Sequence, residues 1–188
     1  MFKIAVLLSG GGSNLQSIID SIESGYINAK IDIVIADREA YGLERAKKHG
    51  IKTLLVDRKI YGKELTKEIF KNIAEDTDLI VLAGYLSILD GEVTKLWPNK
   101  LINIHPSLLP KFGGKGMYGM NVHKAVVEAK ETESGCTVHY VNAGIDTGAT
   151  IKHAKVPVYP TDTPEDVQKR VLEQEHKLFV EVIKAISS

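Results

Sequence analysis

The chain has 188 residues, and its 24 Lys plus Arg balance its 24 Asp plus Glu to a formal net charge of zero. This balance argues against a nucleic-acid-binding or membrane-surface protein, because clustered positive charge supplies most of the affinity of such proteins. The length predicts one domain, residues 1–188, with a core of its own. The single cysteine, Cys136, has no internal disulfide partner, and no stretch reaches the roughly 18 apolar residues of a membrane span. The composition therefore predicts a cytoplasmic protein.

Apolar segments alternate along the chain between strand-like runs and helix-like periodicity. The predicted strands are Lys3–Leu8, Ile31–Ala36, Lys52–Val56, Leu79–Ala83, Lys100–Ile104, Cys136–Val141 and Ala149–Val156. The predicted helices are Asn14–Ser24, Tyr41–His49, one around Leu65–Ile73, a short one near Val93–Trp97, Asn121–Ala129, and a last one from Pro164 to about Ile186. The last helix has Thr163 as N-cap and Asp166 reaching back to it. This alternation predicts an α/β fold, a doubly wound, mostly parallel sheet with helices on both faces.

The loop Ser9–Asn14 lies between the first strand and the first helix. Its glycines allow backbone N–H groups to approach an anion, and the helix N-terminus adds positive partial charge. The dinucleotide pattern G-x-G-x-x-G fails because Leu15 stands at the third glycine position, and the Lys of a P-loop is absent. The loop therefore predicts a monophosphate site made by Gly12, Ser13 and Asn14. A glycine-rich turn capped by Ser13 is the alternative.

The segment Asn103–Pro110 places polar groups directly after a strand. Because side chains alternate along a strand, Asn103 and His105 point to the same side. They present a hydrogen-bond donor and a group that titrates near neutrality at the mouth of the sheet. Pro106 and Pro110 prevent a helix here and favour an extended turn. We expect Asn103 and His105 to be catalytic residues.

Asp146 lies between Gly144 and Gly148, where flexible neighbours allow its carboxylate to be aimed. An aspartate in such a loop is otherwise a turn former. The other histidines lack the spacing of a zinc site, and no metal is expected; His139 is interpreted as a core residue or as support for a site. Cys136 lacks an activating context, so no thiolate nucleophile is expected.

The segment Asn103–Pro110 resembles the formyl-transfer segment of the folate-dependent formyltransferases. Ser9–Gln16 narrows this resemblance to the phosphoribosylglycinamide formyltransferases, and the likeness runs from Ile4 to about Ile186. The resemblance implies the Rossmann-like formyltransferase fold. It also implies transfer of a formyl group from the co-substrate 10-formyltetrahydrofolate to the primary amine of phosphoribosylglycinamide, a step of purine synthesis.

The resemblance also implies the roles of individual residues. Asn103, His105 and Asp146 match the catalytic residues. The implied nucleotide-binding residues are Gly11, Gly12, Ser13, Asn14, Leu15 and Glu175, of which Glu175 holds the ribose hydroxyls. The implied folate-binding residues are Arg58 near the glutamate tail, then Tyr85, Leu86, Ser87, Ile88, Leu89, Val141, Asn142, Ala143, Gly144 and Ile145. On pattern alone, Glu175 is a solvated helix charge and the apolar residues of this set are core.

Further expectations follow from the same resemblance. A nucleotide-binding half, about 1–100, precedes a folate-binding and catalytic half, about 101–188, and the peptide bond before Pro110 is cis. Ser87 and Leu172 depart from the pattern, since some members have arginine and glutamine there. The first difference bears on recognition of the folate tail, and the second on a polar contact near the nucleotide.

The chemistry of formyl transfer fits the three catalytic candidates. An amine attacks a formyl carbon, so a negative oxygen and a positive nitrogen develop together. An imidazolium at His105, held by Asp146, and the amide of Asn103 stabilise the oxyanion. Asp146 also helps to move the proton from the attacking amine, through water. No covalent enzyme intermediate is required.

Three alternative functions fit the sequence less well. A methionyl-tRNA formyltransferase is expected to carry a C-terminal domain and a basic face, and a formyltetrahydrofolate hydrolase an N-terminal regulatory domain. A non-enzymatic nucleotide-binding module would leave Asn103, His105 and Asp146 unexplained. The expected partners are therefore small-molecule substrates, without nucleic acid or membrane, and the chain is expected to be a monomer or a homodimer.

Overall fold

The computed structural model describes residues 1–188. Its strands are β1 (Phe2–Leu8), β2 (Ala29–Ala36), β3 (Thr53–Leu55), β4 (Leu79–Leu82), β5 (Leu101–His105), β6 (Glu133–Tyr140) and β7 (Thr150–Pro157). Its helices are α1 (Ser13–Glu23), α2 (Tyr41–Lys48), α3 (Arg58–Tyr61), α4 (Leu65–Lys71), α5 (Gly91–Thr94), α6 (Met120–Glu128) and α7 (Pro164–Ser187). The predicted elements are present with ends shifted by a few residues. The short helix α3 was not predicted.

The seven strands form one sheet in the order β3-β2-β1-β4-β5-β6-β7. The first five strands pair in parallel, whereas β6 and β7 pair antiparallel to their neighbours. The predicted doubly wound, mostly parallel α/β sheet is therefore confirmed. After β1 the chain adds β2 and β3 on one side of β1, and it then crosses to the other side of β1 to form β4. A crevice opens at such a switch point, beyond the carboxyl ends of the strands.

Helices cover both faces of the sheet. Alternate residues of β1 enter different cores: Ile4 and Val6 join a cluster of 29 buried residues, and Ala5 and Leu7 join a cluster of 13 on the other face. Burial on both faces explains why β1 reads as an unbroken apolar run. None of the helices combines the length and the hydropathy needed to cross a membrane.

Local signals for the ends of elements are also confirmed. Thr163 and Asp166 form a reciprocal capping box at the start of α7, with Pro164 in its first turn. The peptide bond between Leu109 and Pro110 is cis, as the resemblance implies.

The loop from β6 to β7 requires a glycine at its end. A Cβ on Gly148 would lie 1.6 Å from the carbonyl oxygen of Tyr140, and this backbone atom has no rotamer into which it can retreat. We expect Gly148→Ala to lower the free energy of unfolding by about 1–3 kcal/mol, the usual cost of overpacking. Urea denaturation measures it, and Gly10→Ala is the control because its Cβ would meet nothing within 4 Å. Equal stability of the two variants would contradict the expectation.

Candidate active site

A cavity of about 600 Å³ opens at the carboxyl ends of β4 and β5, beside the loop that follows β1. Most of the site residues predicted from the sequence line it: Asn14, Tyr85, Leu86, Ser87, Ile88, Leu89, Asn103, His105, Val141, Asn142, Ala143, Gly144, Ile145, Asp146 and Glu175. They come from segments spread along the chain from Asn14 to Glu175. The carboxyl ends of the strands thus bring most of the predicted site residues together, as expected for a doubly wound fold.

The structure does not bring every predicted residue to this cavity. Arg58 is exposed at the start of α3 and does not line the cavity, and its backbone N–H donates to the Asp37 carbonyl. The side chain of Leu15 is completely buried in the core, so only its backbone remains available to a ligand. The burial follows from the position of Leu15 on α1, which faces the sheet.

Asn103, His105 and Asp146 converge at the inner end of the cavity. Asn103 and His105 lie on β5, and Asp146 lies in the loop between β6 and β7. The Asp146 Oδ2 atom is 3.5 Å from His105 Nδ1 and accepts a hydrogen bond from the Gly114 N–H at 3.1 Å. The carboxylate therefore faces the imidazole at ion-pair distance, slightly beyond a direct hydrogen bond.

Both ring nitrogens of His105 face acceptors. Nε2 is 2.8 Å from the carbonyl oxygen of Phe112. Because a carbonyl only accepts, Nε2 must carry a hydrogen. A second proton on Nδ1 then makes an imidazolium held between this carbonyl and the Asp146 carboxylate. Because Nε2 is occupied by the Phe112 carbonyl, a direct hydrogen bond from Nε2 to a ligand would require Phe112 to move.

His139 is a member of this centre whose specific role the sequence did not reveal. Its Nδ1 lies 3.0 Å from the Tyr140 carbonyl oxygen, and its Nε2 lies 3.3 Å from Asn103 Nδ2. Burial lowers the pKa of His139, against the opposing influence of the Tyr140 carbonyl and Asp146. The neutral ring then donates from Nδ1 and accepts the Asn103 amide at Nε2. The second amide hydrogen of Asn103 stays free for a substrate.

The loop after β1 has the geometry of an anion site. Gly12 adopts a left-handed conformation with φ of 77°, and the first hydrogen bond of α1 runs from Gln16 N–H to its carbonyl. The N–H groups of residues 13–15 precede that bond and have no partner within the helix. Arg45 donates from Nε to the Gly11 carbonyl at 2.7 Å, and so brings a cation to the loop that the local sequence lacks.

Two polar side chains of the cavity are buried beside this loop. Glu175 on α7 is 8% exposed, and its Oε1 accepts from Asn14 Nδ2 at 3.3 Å. Burial raises the pKa of Glu175 to about 7, although the Asn14 hydrogen bond acts to lower it. The Asn14 Oδ1 atom is buried without a hydrogen-bond partner. Together they offer acceptor oxygens to a ligand with hydroxyl groups.

A polar cluster under the cavity wall uses the Ser87 hydroxyl. Ser87 donates to the buried Asp37, which also accepts from Arg38 Nε and Nη2 at 3.1 and 3.0 Å. Burial of Asp37 favours a higher pKa, but the hydrogen bonds from Arg38, Ser87 and Ser9 outweigh it and lower the pKa. Ser87 therefore serves to fix the wall rather than to present a cation.

The single thiol is enclosed in the core and does not line the cavity. Cys136 is fully buried in the core, and burial raises the pKa of its thiol to about 12. A thiolate nucleophile is not available there near neutral pH.

Asn103, His105 and Asp146 thus form a candidate active site in an α/β fold, in the cavity at the carboxyl ends of β4 and β5. The family model described as formyl transferase matches residues 2–183, and the chain belongs to this family. The resemblance to the folate-dependent formyltransferases is thereby confirmed.

Individual relatives are more specific. The chain is 45% identical to phosphoribosylglycinamide formyltransferase of Haemophilus influenzae, over 98% of this chain and 86% of that protein. It is 40% identical to the chloroplastic phosphoribosylglycinamide formyltransferase of Arabidopsis thaliana, over 98% of this chain but 65% of that longer protein. Among solved structures, glycinamide ribonucleotide transformylase 1 from Symbiobacterium toebii superposes with a TM-score of 0.90 at 40% identity, covering 98% of this chain and 86% of that one.

Proposed function

We propose that this protein transfers a formyl group from 10-formyltetrahydrofolate to the primary amine of phosphoribosylglycinamide. The observation that carries the proposal is that one cavity is lined by the Asn14–Glu175 pair and by the Asn103–His105–Asp146 centre. Gly11, Gly12 and Ser13 do not line this cavity, but they precede Asn14 directly in the loop after β1. The order of these groups matches phosphate, ribose and amine along the nucleotide. The names of the relatives point to the same reaction.

The nucleotide is held at its phosphate and its ribose. The phosphate binds the backbone N–H groups between Gly11 and Leu15 and the Ser13 hydroxyl, with Arg45 adding positive charge. The ribose hydroxyls donate to Glu175 and to the unpaired Asn14 Oδ1. A ribose fixed here directs the glycinamide arm toward Asn103.

The folate binds the opposite wall of the cavity. Leu86 and Ile88 line the cavity and are 46% and 69% exposed, so they offer apolar area that a pteridine and benzoyl group can cover. The loop Asn142–Ile145 lines the same cavity. Arg58 meets the folate only where the glutamate tail extends beyond the cavity. No metal is needed.

In the reaction the amine attacks the formyl carbon, and negative charge develops on the formyl oxygen. The free amide hydrogen of Asn103 and the imidazolium of His105 stabilise this oxygen. Asp146 accepts the proton of the attacking amine through water and returns it to the departing folate nitrogen. No bond to the enzyme forms.

Small molecules are the partners, without nucleic acid or membrane; the protein acts in the cytoplasm as a monomer or homodimer. The division into a nucleotide-binding half, about 1–100, and a folate-binding and catalytic half, about 101–188, stays a prediction. Both proposed subsites draw residues from both of these halves.

The direct test uses purified protein, phosphoribosylglycinamide and 10-formyltetrahydrofolate without added metal, and measures formylated nucleotide by mass spectrometry. Stoichiometric appearance of this product supports the proposal. Release of formate without the nucleotide would indicate a hydrolase instead. Nucleotide binding without turnover would indicate a binding module.

The phosphate site is tested by Ser13→Asp, which places a negative charge at the loop. Repulsion should raise the KM for the nucleotide at least about tenfold, and the KM for the folate far less. The control is Ser24→Asp at the other end of α1, about 16 Å away along the helix axis. Equal effects of Ser13→Asp on both substrates would count against this assignment.

A further inference from the structure

His123 on α6 is a buried group that the mechanism above does not use. Its side chain lines the cavity and is only 2% exposed, and its Nδ1 has no hydrogen-bond partner. A buried polar atom left unpaired costs about 1–3 kcal/mol, so native proteins seldom keep one without a reason. The chain has four such side-chain atoms, and the Asn14 Oδ1 atom assigned to the ribose is another that lines this cavity.

The imidazole of His123 is neutral near physiological pH. Burial lowers its pKa to about 4, and the charge of nearby His105 acts in the same direction. A neutral imidazole offers one N–H donor and one acceptor nitrogen. It therefore suits an uncharged polar group better than a phosphate or a carboxylate.

The position of His123 indicates which part of a ligand it would meet. Helix α6 packs against α7, which carries Glu175 at the ribose end. His123 also lines the same cavity as His105, which lies at the reacting end. His123 thus lies beside the path that joins the two ends. In the proposed nucleotide this path is a secondary amide, with one N–H and one carbonyl.

We propose that His123 hydrogen-bonds the secondary amide between the ribose and the reacting amine, and is a specificity-determining residue for the nucleotide. This inference rests on the function proposed above. The imidazole selects nucleotides with a polar, uncharged linker and holds the amine in line with Asn103.

The test compares a complete and a truncated ligand by calorimetry. Phosphoribosylglycinamide contains the amide, whereas ribose 5-phosphate keeps only the phosphate and sugar. His123→Leu should weaken binding of the complete nucleotide about tenfold, the value of a neutral hydrogen bond in a desolvated site, and leave ribose 5-phosphate within about twofold. His123→Asn, which keeps a polar atom near the Nδ1 position, should recover part of the loss.

Other outcomes overturn the inference. An equal loss for both ligands would mean that His123 only maintains the shape of the cavity, and unchanged nucleotide binding would mean that it has no role. A loss confined to the KM for the folate would move His123 to the other subsite. Failure of the unmodified protein to bind phosphoribosylglycinamide at all would reject the proposed function itself, and the unmodified protein is measured first.

Discussion

Replacing Asp146 with asparagine is expected to lower kcat for formyl transfer by roughly two to four orders of magnitude, the usual scale of acid–base and oxyanion contributions. The carboxylate faces His105 Nδ1 at 3.5 Å. In the proposed mechanism its negative charge holds the imidazolium that stabilises the oxyanion. It is also the proposed acceptor of the amine proton. Asparagine keeps the shape of the side chain but removes both contributions.

Asparagine is the appropriate replacement for a structural reason. Asp146 has a positive φ of 55°, a conformation that asparagine tolerates better than most residues. Its amide oxygen can still accept the N–H of Gly114. Single-turnover measurement of formyl transfer isolates the chemical step, and Asp20→Asn on the exposed side of α1 is the control. The affinity of Asp146→Asn for the nucleotide should change little. Formyl transfer at a near-native rate by this variant would contradict the proposed role of Asp146.

Asn103 and Asp146 should not act independently. Asn103→Ala removes the amide donor and should also lower kcat. Combined with Asp146→Asn, it should cost less than the product of the two single effects, because both groups act on one developing charge. Strict multiplication of the effects would show that they serve separate steps.

Glu175→Gln is expected to remove a pH-dependent loss of stability while it weakens nucleotide binding. The pKa of Glu175 is about 7 in the folded protein and 4.5 for an ordinary glutamate. Below pH 4.5 both folded and unfolded states are protonated, so no stability is lost. Between pH 4.5 and 7 the unfolded chain releases its proton but the folded chain retains it. The free energy of unfolding therefore falls as the pH rises through this window.

The loss should total about 2–4 kcal/mol above pH 7, since each pKa unit corresponds to about 1.4 kcal/mol. Urea denaturation at pH 4.5, 6 and 8 measures it by comparing the two proteins at each pH. The advantage of Glu175→Gln over the unmodified protein should grow by this amount from pH 4.5 to pH 8. Glu173→Gln, an exposed neighbour on α7, is the control. Parallel pH profiles for the unmodified protein and Glu175→Gln would refute the explanation.

A buried carboxylate that lowers the free energy of unfolding is expected at a position where it binds a ligand. The nucleotide should bind Glu175→Gln more weakly by about tenfold, because a neutral amide accepts hydroxyl hydrogen bonds less strongly than a carboxylate does. An unchanged affinity would remove Glu175 from the ribose site, whatever its effect on stability.

Local patterns were sufficient for much of this protein. The apolar runs and the 3.6-residue periodicity predicted the α/β alternation, and the Thr163 and Asp166 cap located the start of α7. Alternation along β5 placed Asn103 and His105 on one side, and both line the cavity. These features depend on neighbouring residues in the chain, so the sequence alone contains them.

The sequence contains a pattern that predicts the burial of Glu175. It lies four residues after Val171 and three before Leu178, on the buried stripe of α7. Spacing therefore placed the carboxylate among apolar side chains, although a helix charge is usually solvated. The burial that raises its pKa was readable from periodicity, but its partner Asn14, 161 residues away, was not.

Only the tertiary structure decided which distant groups meet. The antiparallel direction of β6 and β7, the pairing of His139 with Asn103, the anchoring of Gly11 by Arg45 and the placement of Arg58 outside the cavity all depend on how strands and helices pack. Sequence patterns report which face of an element is buried, but not which element covers it. The sequence thus determined the elements, the candidate catalytic residues and the side of the sheet on which Asn103 and His105 lie, while packing determined the hydrogen bonds that orient these residues.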